Sequence, residues 1–401
     1  MRNILAALLL SLCFAATVAA QGVSPESAEK YNAGQDLFKK RRYQEAVKAF
    51  EEAVSLDAKN AQAYRAMGKA YQKIRSYDKA IEAYQMATTV KPDYTAAYLE
   101  VGELQFQRKK YVDAAQSFKK VLGIDPGFQD GKARKNLKAA YIKQGIMYFR
   151  QKNYKKAAVE YQNACQVDPS DAATFYNLGL AYRMSRETKK AREALSTAIE
   201  LDPKYVKAYR SLGDIHKVTR NNTRAIRNYN KAIELGPTDK KNVNAYLSLA
   251  QIYNRLKQPA KAVSALKKGV AAFPKEIRLY RALGLSHANR KHFKSAVSTF
   301  KNALAIKSDD TETHYRIADA YLELKNFQTS ITHAKKSVRS SKWKVPANVI
   351  LGDCYEALKQ KEKAIEHYKK GLGDPRYKKY CEDKIDRILN PMGGEEQTGE
   401  E

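Results

Sequence analysis

Between residues 61 and 94, apolar and small side chains fall at Tyr64, Met67, Gly68 and Tyr71, then at Ala80, Tyr84 and Ala87. Polar residues fill most of the gaps. Within each group the members are three or four apart, the spacing of one face of a helix. The pattern predicts two helices joined by a short turn, covering positions 1–14 and 18–31 of a 34-residue unit. Proline follows at Pro92, where the second helix has to stop.

The unit recurs. Ten copies fit residues 27–60, 61–94, 95–128, 138–171, 172–205, 206–239, 243–276, 277–310, 311–344 and 345–378. Position 8 is glycine in eight copies (Gly34, Gly68, Gly102, Gly145, Gly179, Gly213, Gly284, Gly352) and alanine at Ala250 and Ala318. Position 20 is alanine in nine, with Ser330 the exception. Position 24 is Phe50, Tyr84, Phe118, Tyr161, Leu195, Tyr229, Leu266, Phe300, Ala334 and Tyr368. Glycine inside a helix costs up to about 1 kcal/mol relative to alanine, so its periodic return needs a packing reason. The expected reason is a close approach of helix A to helix B, with glycine at position 8 facing alanine at position 20.

These intervals resemble the tetratricopeptide repeat, a 34-residue helix–turn–helix unit. The resemblance covers residues 27–378 and implies an all-α, right-handed solenoid of about ten repeats, whose stability is shared between neighbours. The expected organisation is a signal peptide at 1–20, repeats 1–3 at 27–128, an insertion or helix extension at 129–137, and repeats 4–10 at 138–378. A capping helix at 379–390 and a disordered acidic tail at 391–401 complete it. The nine-residue insertion "QDGKARKNL" is expected to interrupt stacking, dividing the array into three and seven repeats. The shorter "KKN" at 240–242 is expected to matter less. The ninth unit, with Ser330, Ala334 and Ser337 and the lone Trp343 after it, is expected to be the loosest joint. On the cap, Tyr380, Ile385, Ile388 and Leu389 are expected to form the apolar side.

The first residues, "MRNILAALLLSLCFAATVAA", have one cation, a short apolar run and small residues at Val18, Ala19 and Ala20. This is the pattern of a secretory signal cut after Ala20. It is too short to span a bilayer, which takes about 20 apolar residues, and no other long apolar run follows. The mature chain is therefore expected outside the cytoplasm, most naturally in a bacterial periplasm, secreted or at the surface. Removing Arg2 with the signal takes the formal charge from +30 to +29. Such an excess attracts anionic partners. Export argues against nucleic acid and favours anionic envelope polymers or lipid headgroups, set against the plainer reading of a solvated lysine face.

No enzyme motif is present: there is no HExxH, no GxSxG and no phosphate-binding glycine loop. The six histidines are scattered; His216, His287 and His314 sit at apolar template positions, where they replace aromatic residues. No cofactor or metal is expected. Of the three cysteines in the mature chain, Cys165 reads as core. Cys354, on the last helix A, and Cys381, on the cap, are expected to be neighbours and to form a disulfide.

The resemblance also implies where a partner binds, since related superhelices grip extended peptides along an inner groove lined by positions 2, 5, 9, 12 and 13 of helix A. Those positions form a graded strip here. Arg65 and Lys69 are basic; Leu99, Phe106, Ile142, Ile146, Phe149, Tyr176, Leu180 and Met184 are apolar. Lys207, Arg210, Lys217, Arg278 and Arg281 are basic again, and Glu312, Asp319, Glu323, Asp353 and Glu356 close the strip with acids. The family's carboxylate clamp for chaperone tails is not expected, because Ile142 and Ile146 stand at its lysine and asparagine positions. The expected function is a non-enzymatic scaffold or adaptor that binds a protein or peptide segment through its groove centre. The alternative is a polyanion binder.

Overall fold

The computed structural model describes residues 22–390. The expected signal segment 1–20 and the expected disordered tail 391–401 lie outside the described residues. Twenty-one α-helices and no strand occur among those described. Two compact units divide the chain, with the boundary between Pro203 and Lys204.

The first unit holds five hairpins: α1 (Pro25–Lys39) with α2 (Tyr43–Leu56), α3 (Ala61–Lys73) with α4 (Tyr77–Val90), α5 (Thr95–Gln107) with α6 (Tyr111–Ile124), α7 (Phe128–Arg150) with α8 (Tyr154–Val167), and α9 (Ala172–Met184) with α10 (Thr188–Leu201). The second holds α11 (Val206–Val218) with α12 (Asn222–Leu235), α13 (Val243–Arg255) with α14 (Pro259–Ala272), α15 (Ile277–Ala288) with α16 (Phe293–Ile306), α17 (Thr311–Glu323) with α18 (Phe327–Ser337), α19 (Ser341–Ala357) with α20 (Lys361–Lys369), and α21 (Lys378–Leu389). Within each unit every helix packs on its hairpin mate and on the next hairpin.

The glycine at position 8 meets the side chain at position 24 first, a ring in most repeats and Leu195 at Gly179. The expected approach to position 20 is seen there as well, with the Ala191 carbonyl oxygen 3.3 Å from a Cβ on Gly179. A Cβ on Gly68 would lie 2.7 Å from the Tyr84 ring, and one on Gly102 would lie 2.6 Å from Phe118. Those rings are fully buried. Removing the Cβ lets a flat ring rest directly on the helix A backbone, which a short alanine at position 20 could not exploit. The two alanines at position 8 share their clusters with the aliphatic Leu266 and Ala334 at position 24.

The nine-residue insertion does not interrupt stacking. It lengthens α7 at its start, with left-handed backbone at Gln129, Asp130 and Gly131. Ala133, Leu137 and Ala140 then join Phe118 and Val121 of α6 in one buried cluster. The division therefore falls after the fifth repeat, not after the third. The shorter insertion does more than its length suggests. Lys240–Asn242 forms a 3-10 turn in which the buried Asn242 donates to the carbonyls of Ala232 (2.8 Å) and Gly236 (2.6 Å).

At the ninth repeat, polar ties add to the apolar packing of Ala318, Ile331 and Ala334. Buried Ser330 donates to the Ala318 carbonyl at 2.7 Å, and Ser337 to the Thr311 carbonyl at 3.0 Å. Trp343 stacks on Tyr315 at 4.7 Å. On α21, the buried residue is Cys381, with Ile385 and Ile388 packed behind it. Tyr380 and Leu389 are exposed rather than buried. The expected Cys354–Cys381 disulfide is not formed: both are free thiols within one apolar cluster.

Each hairpin closes in the same way. In α3, Arg75 N–H donates to the Gln72 carbonyl and Ser76 N–H to the Tyr71 carbonyl. This is the bond pattern that ends many helices on a left-handed residue, usually glycine. Here that residue is Arg41, Arg75, Lys109, Lys152, Arg186, Arg220, Lys257, Lys291, Lys325 or Lys359, with φ of 57–67°. A side chain in this region costs about 1 kcal/mol. A cation at a helix C-terminus recovers roughly 0.3–1 kcal/mol of it.

Candidate functional site

The residues expected to line the groove lie on the helix A of each repeat, and the two units present them differently. In the first unit, Arg65 on α3 grips Glu100 on α5 through two bonds, Nε at 2.8 Å and Nη2 at 2.7 Å. Lys69 reaches the same carboxylate at 3.4 Å. Burial alone would lower the Arg65 pKa; Glu100 outweighs it and raises it. These two cations are thus held by the chain itself, one repeat on.

The apolar strip is narrower than expected. Leu99 is only 2% exposed and belongs to the core beside Phe118 and Leu137. Its position faces α6 and α7, so it cannot contact a partner. Phe106 is half-buried, edge-on to Tyr111 at 5.2 Å. On α7, Ile142, Ile146 and Phe149 are half-buried, with their inner sides against Tyr161 and Leu178. On α9, Tyr176 and Leu180 are half-buried and Met184 is 43% exposed. What remains open is a strip from Ile142 to Met184 on the adjacent helices A of repeats four and five.

In the second unit the cations are again matched. Arg210 donates to Asp239 at 3.0 Å and to Asn242 at 2.9 Å. Lys217 donates to Ser248 Oγ at 2.9 Å. Arg278 bonds Glu276 at 2.9 Å and Asn244 at 3.2 Å; Arg281 meets Asp310 at 3.3 Å and Glu312 at 2.9 Å. Lys207 is exposed and makes no ion pair among the described residues. At the acidic end, Asp353 accepts from the Tyr368 and Tyr380 hydroxyls, both at 2.7 Å, and Glu356 accepts from Lys384 at 2.8 Å. Burial raises the pKa of Asp319 and Asp353 from the ordinary aspartate value. Most of the charged strip therefore stitches repeat to repeat.

Two clefts on the helix B side were not foreseen. One, of about 640 Å³, is floored by Phe175, Leu178 and Tyr182 and walled by Gln162, Gln166 and Thr197. Its counterpart in the second unit, about 380 Å³, has Tyr246, Leu249 and Tyr253 as its floor. The floors occupy the same template positions, 4, 7 and 11. A signal existed in the sequence, since large residues at all three positions need a bulky roof that the polar helix B faces here do not supply. Among the described residues no cluster of three His, Cys, Asp or Glu could hold a metal ion. Burial lifts the Cys165 thiol to about 12 and the Cys354 thiol to about 11, which leaves both unreactive near neutrality.

Models described as "TPR repeat" match residues 34–74 and 145–184, and models described as "Tetratricopeptide repeat" match 65–127, 172–205, 243–286 and 345–373. The chain belongs to the tetratricopeptide repeat family. Proteins of this repeat family are scaffolds that bind protein or peptide partners. No curated protein matches the chain in sequence. Among solved structures, the crystal structure of MamA protein is 25% identical, covering 44% of this chain and 94% of that one, with a TM-score of 0.39. YrrB, described as a TPR protein with an unusual peptide-binding site, is 20% identical over 50% of this chain and 97% of that one, with a TM-score of 0.38. Yeast Tom70 is 16% identical over 90% and 95%, with a TM-score of 0.37.

Proposed function

We propose that this tetratricopeptide repeat protein is an adaptor of the cell envelope that holds an apolar segment of a partner protein on the helix A face of repeats four and five. The observation that carries the reading is the half-open strip of Ile142, Ile146 and Phe149 on α7 and Tyr176, Leu180 and Met184 on α9. A contiguous apolar strip left open beside matched charges is the usual mark of an interaction site. The paired Arg65 of the same unit favours an apolar rather than an acidic ligand, because recruiting it would break the bonds it already makes to Glu100. The envelope assignment is supported by the signal-like residues 1–20.

The test is capture of partners by the immobilised chain 21–401 from an envelope extract, washed at high salt. Wild type retains a defined protein, while Tyr176→Ser with Met184→Ser loses it at unchanged melting temperature. Phe149 is left intact because its ring packs on Tyr154 at 5.1 Å. Equal retention by the double variant, or retention only of species that salt removes, overturns the reading.

A further inference from the structure

The ten left-handed turn residues are all Lys or Arg, and all ten are exposed and make no ion pair among the described residues. This contrasts with Arg65, Lys69, Arg210, Lys217, Arg278 and Arg281 on the helix A face, which are matched. In each unit the hairpin turns share one edge, because successive repeats stack in the same orientation. Arg255, at the end of α13, reaches back to Asn222 at the start of α12, and Arg108 reaches Asp78 in the same sense. Neighbouring helices of this kind pack roughly 8–10 Å apart, so the turn cations form a ladder of short step.

The ladder is densest in the second unit. Residues 218–224, 255–261 and 289–294 include eight Lys or Arg and no Asp or Glu. Apolar side chains stand exposed among them. Val218 is 79% exposed, two residues before Arg220, and Leu256 is exposed beside Lys257. Helix-end electrostatics accounts for cations at these turns, but glycine or asparagine is the usual occupant of a left-handed helix end. Nor does it account for Val218, 79% exposed, and Leu256, 37% exposed, beside them.

We propose that this edge of the second unit docks on an anionic lipid surface. Cations in the headgroup layer would meet lipid phosphates, and Val218 and Leu256 would enter the boundary with the acyl chains. Against a soluble polyanion those apolar groups would gain nothing, which is why a bilayer fits better. Among the described residues no helix is long and apolar enough to cross a membrane, so the contact is peripheral. This edge is separate from the helix A strip of the first unit, and the proposal does not rest on that strip.

The test is sedimentation of the chain 21–401 with vesicles of phosphatidylglycerol and phosphatidylcholine, against vesicles of phosphatidylcholine alone. Wild type binds the anionic vesicles only. Arg220→Asn with Lys257→Asn and Lys291→Asn, which suits the left-handed backbone, weakens binding by at least about tenfold. Val218→Ser with Leu256→Ser weakens it too. Lys268→Gln with Lys336→Gln and Lys369→Gln, on helices B, leaves it within about twofold. Equal loss from both cation triples would make net charge, not this edge, the cause and overturn the proposal. So would full binding by the turn variant, or binding to heparin without binding to anionic vesicles.

Discussion

At the scale of the residue, position 8 decides the hairpin. Gly68→Ala places a methyl 2.7 Å from the buried Tyr84 ring, where neither backbone nor ring can yield easily. Overpacking of this kind costs about 1–3 kcal/mol. Gly123→Ala, on helix α6 with nothing within 4 Å of its new Cβ, gains up to about 1 kcal/mol from helix propensity. Urea denaturation of both variants checks the pair; two variants shifted alike would contradict this packing account. The period and the special residues were legible in the sequence because they repeat. The partner of Gly68 was not, because spacing gives the face of a helix but not how far a ring leans along its neighbour. Leu99 shows the same limit. A template position marks it as inner, and only packing shows that α6 and α7 cover it.

At the scale of the element, a pH-sensitive contact joins α17 to α18. His314 Nε2 lies 2.9 Å from the Ser308 carbonyl, which can only accept, so Nε2 carries the proton. In neutral His314, Nδ1 is then an acceptor, and His333 Nδ1–H donates to it at 2.9 Å. Protonating His314 would set two N–H groups against each other. Burial first, then His314, Lys336 and Lys301, push the His333 pKa from 6.5 down to about 4. Burial also lowers His314. Between pH 6.5 and about 4 the unfolded chain binds more protons at these sites than the folded chain. Stability is therefore full above pH 6.5 and falls as the pH drops through that window. The melting temperature should decline over this range in wild type and decline less in His333→Asn, which keeps a donor but cannot titrate; parallel profiles would contradict the assignment. Sequence placed His314 at a core position correctly but gave no hint of His333 as its mate, since the two belong to different helices. The same blindness applied to α7. Nine extra residues were visible, but whether they broke or extended a helix depended on Ala133, Leu137 and Ala140 finding α6.

At the scale of the whole molecule, two compact units each keep a continuous repeat stack, and the cations stand in different settings. Arg65, Lys69, Arg210, Arg278 and Arg281 on the helix A face meet carboxylates. The ten turn cations meet none among the described residues. Composition gave the excess; only the structure separates the matched cations from the unmatched ones. The same holds for the apolar groups, where the strip of repeats four and five competes with the cleft floored by Phe175, Leu178 and Tyr182 as the place for a partner. The measurement that decides between them is photocrosslinking in the native cells. A photoreactive residue replaces Leu180 on the helix A face in one chain and Thr197 in the helix B cleft in another. The account predicts a discrete adduct with a protein partner from position 180 and none from 197. An adduct from 197 alone would place the partner on the opposite face and contradict it.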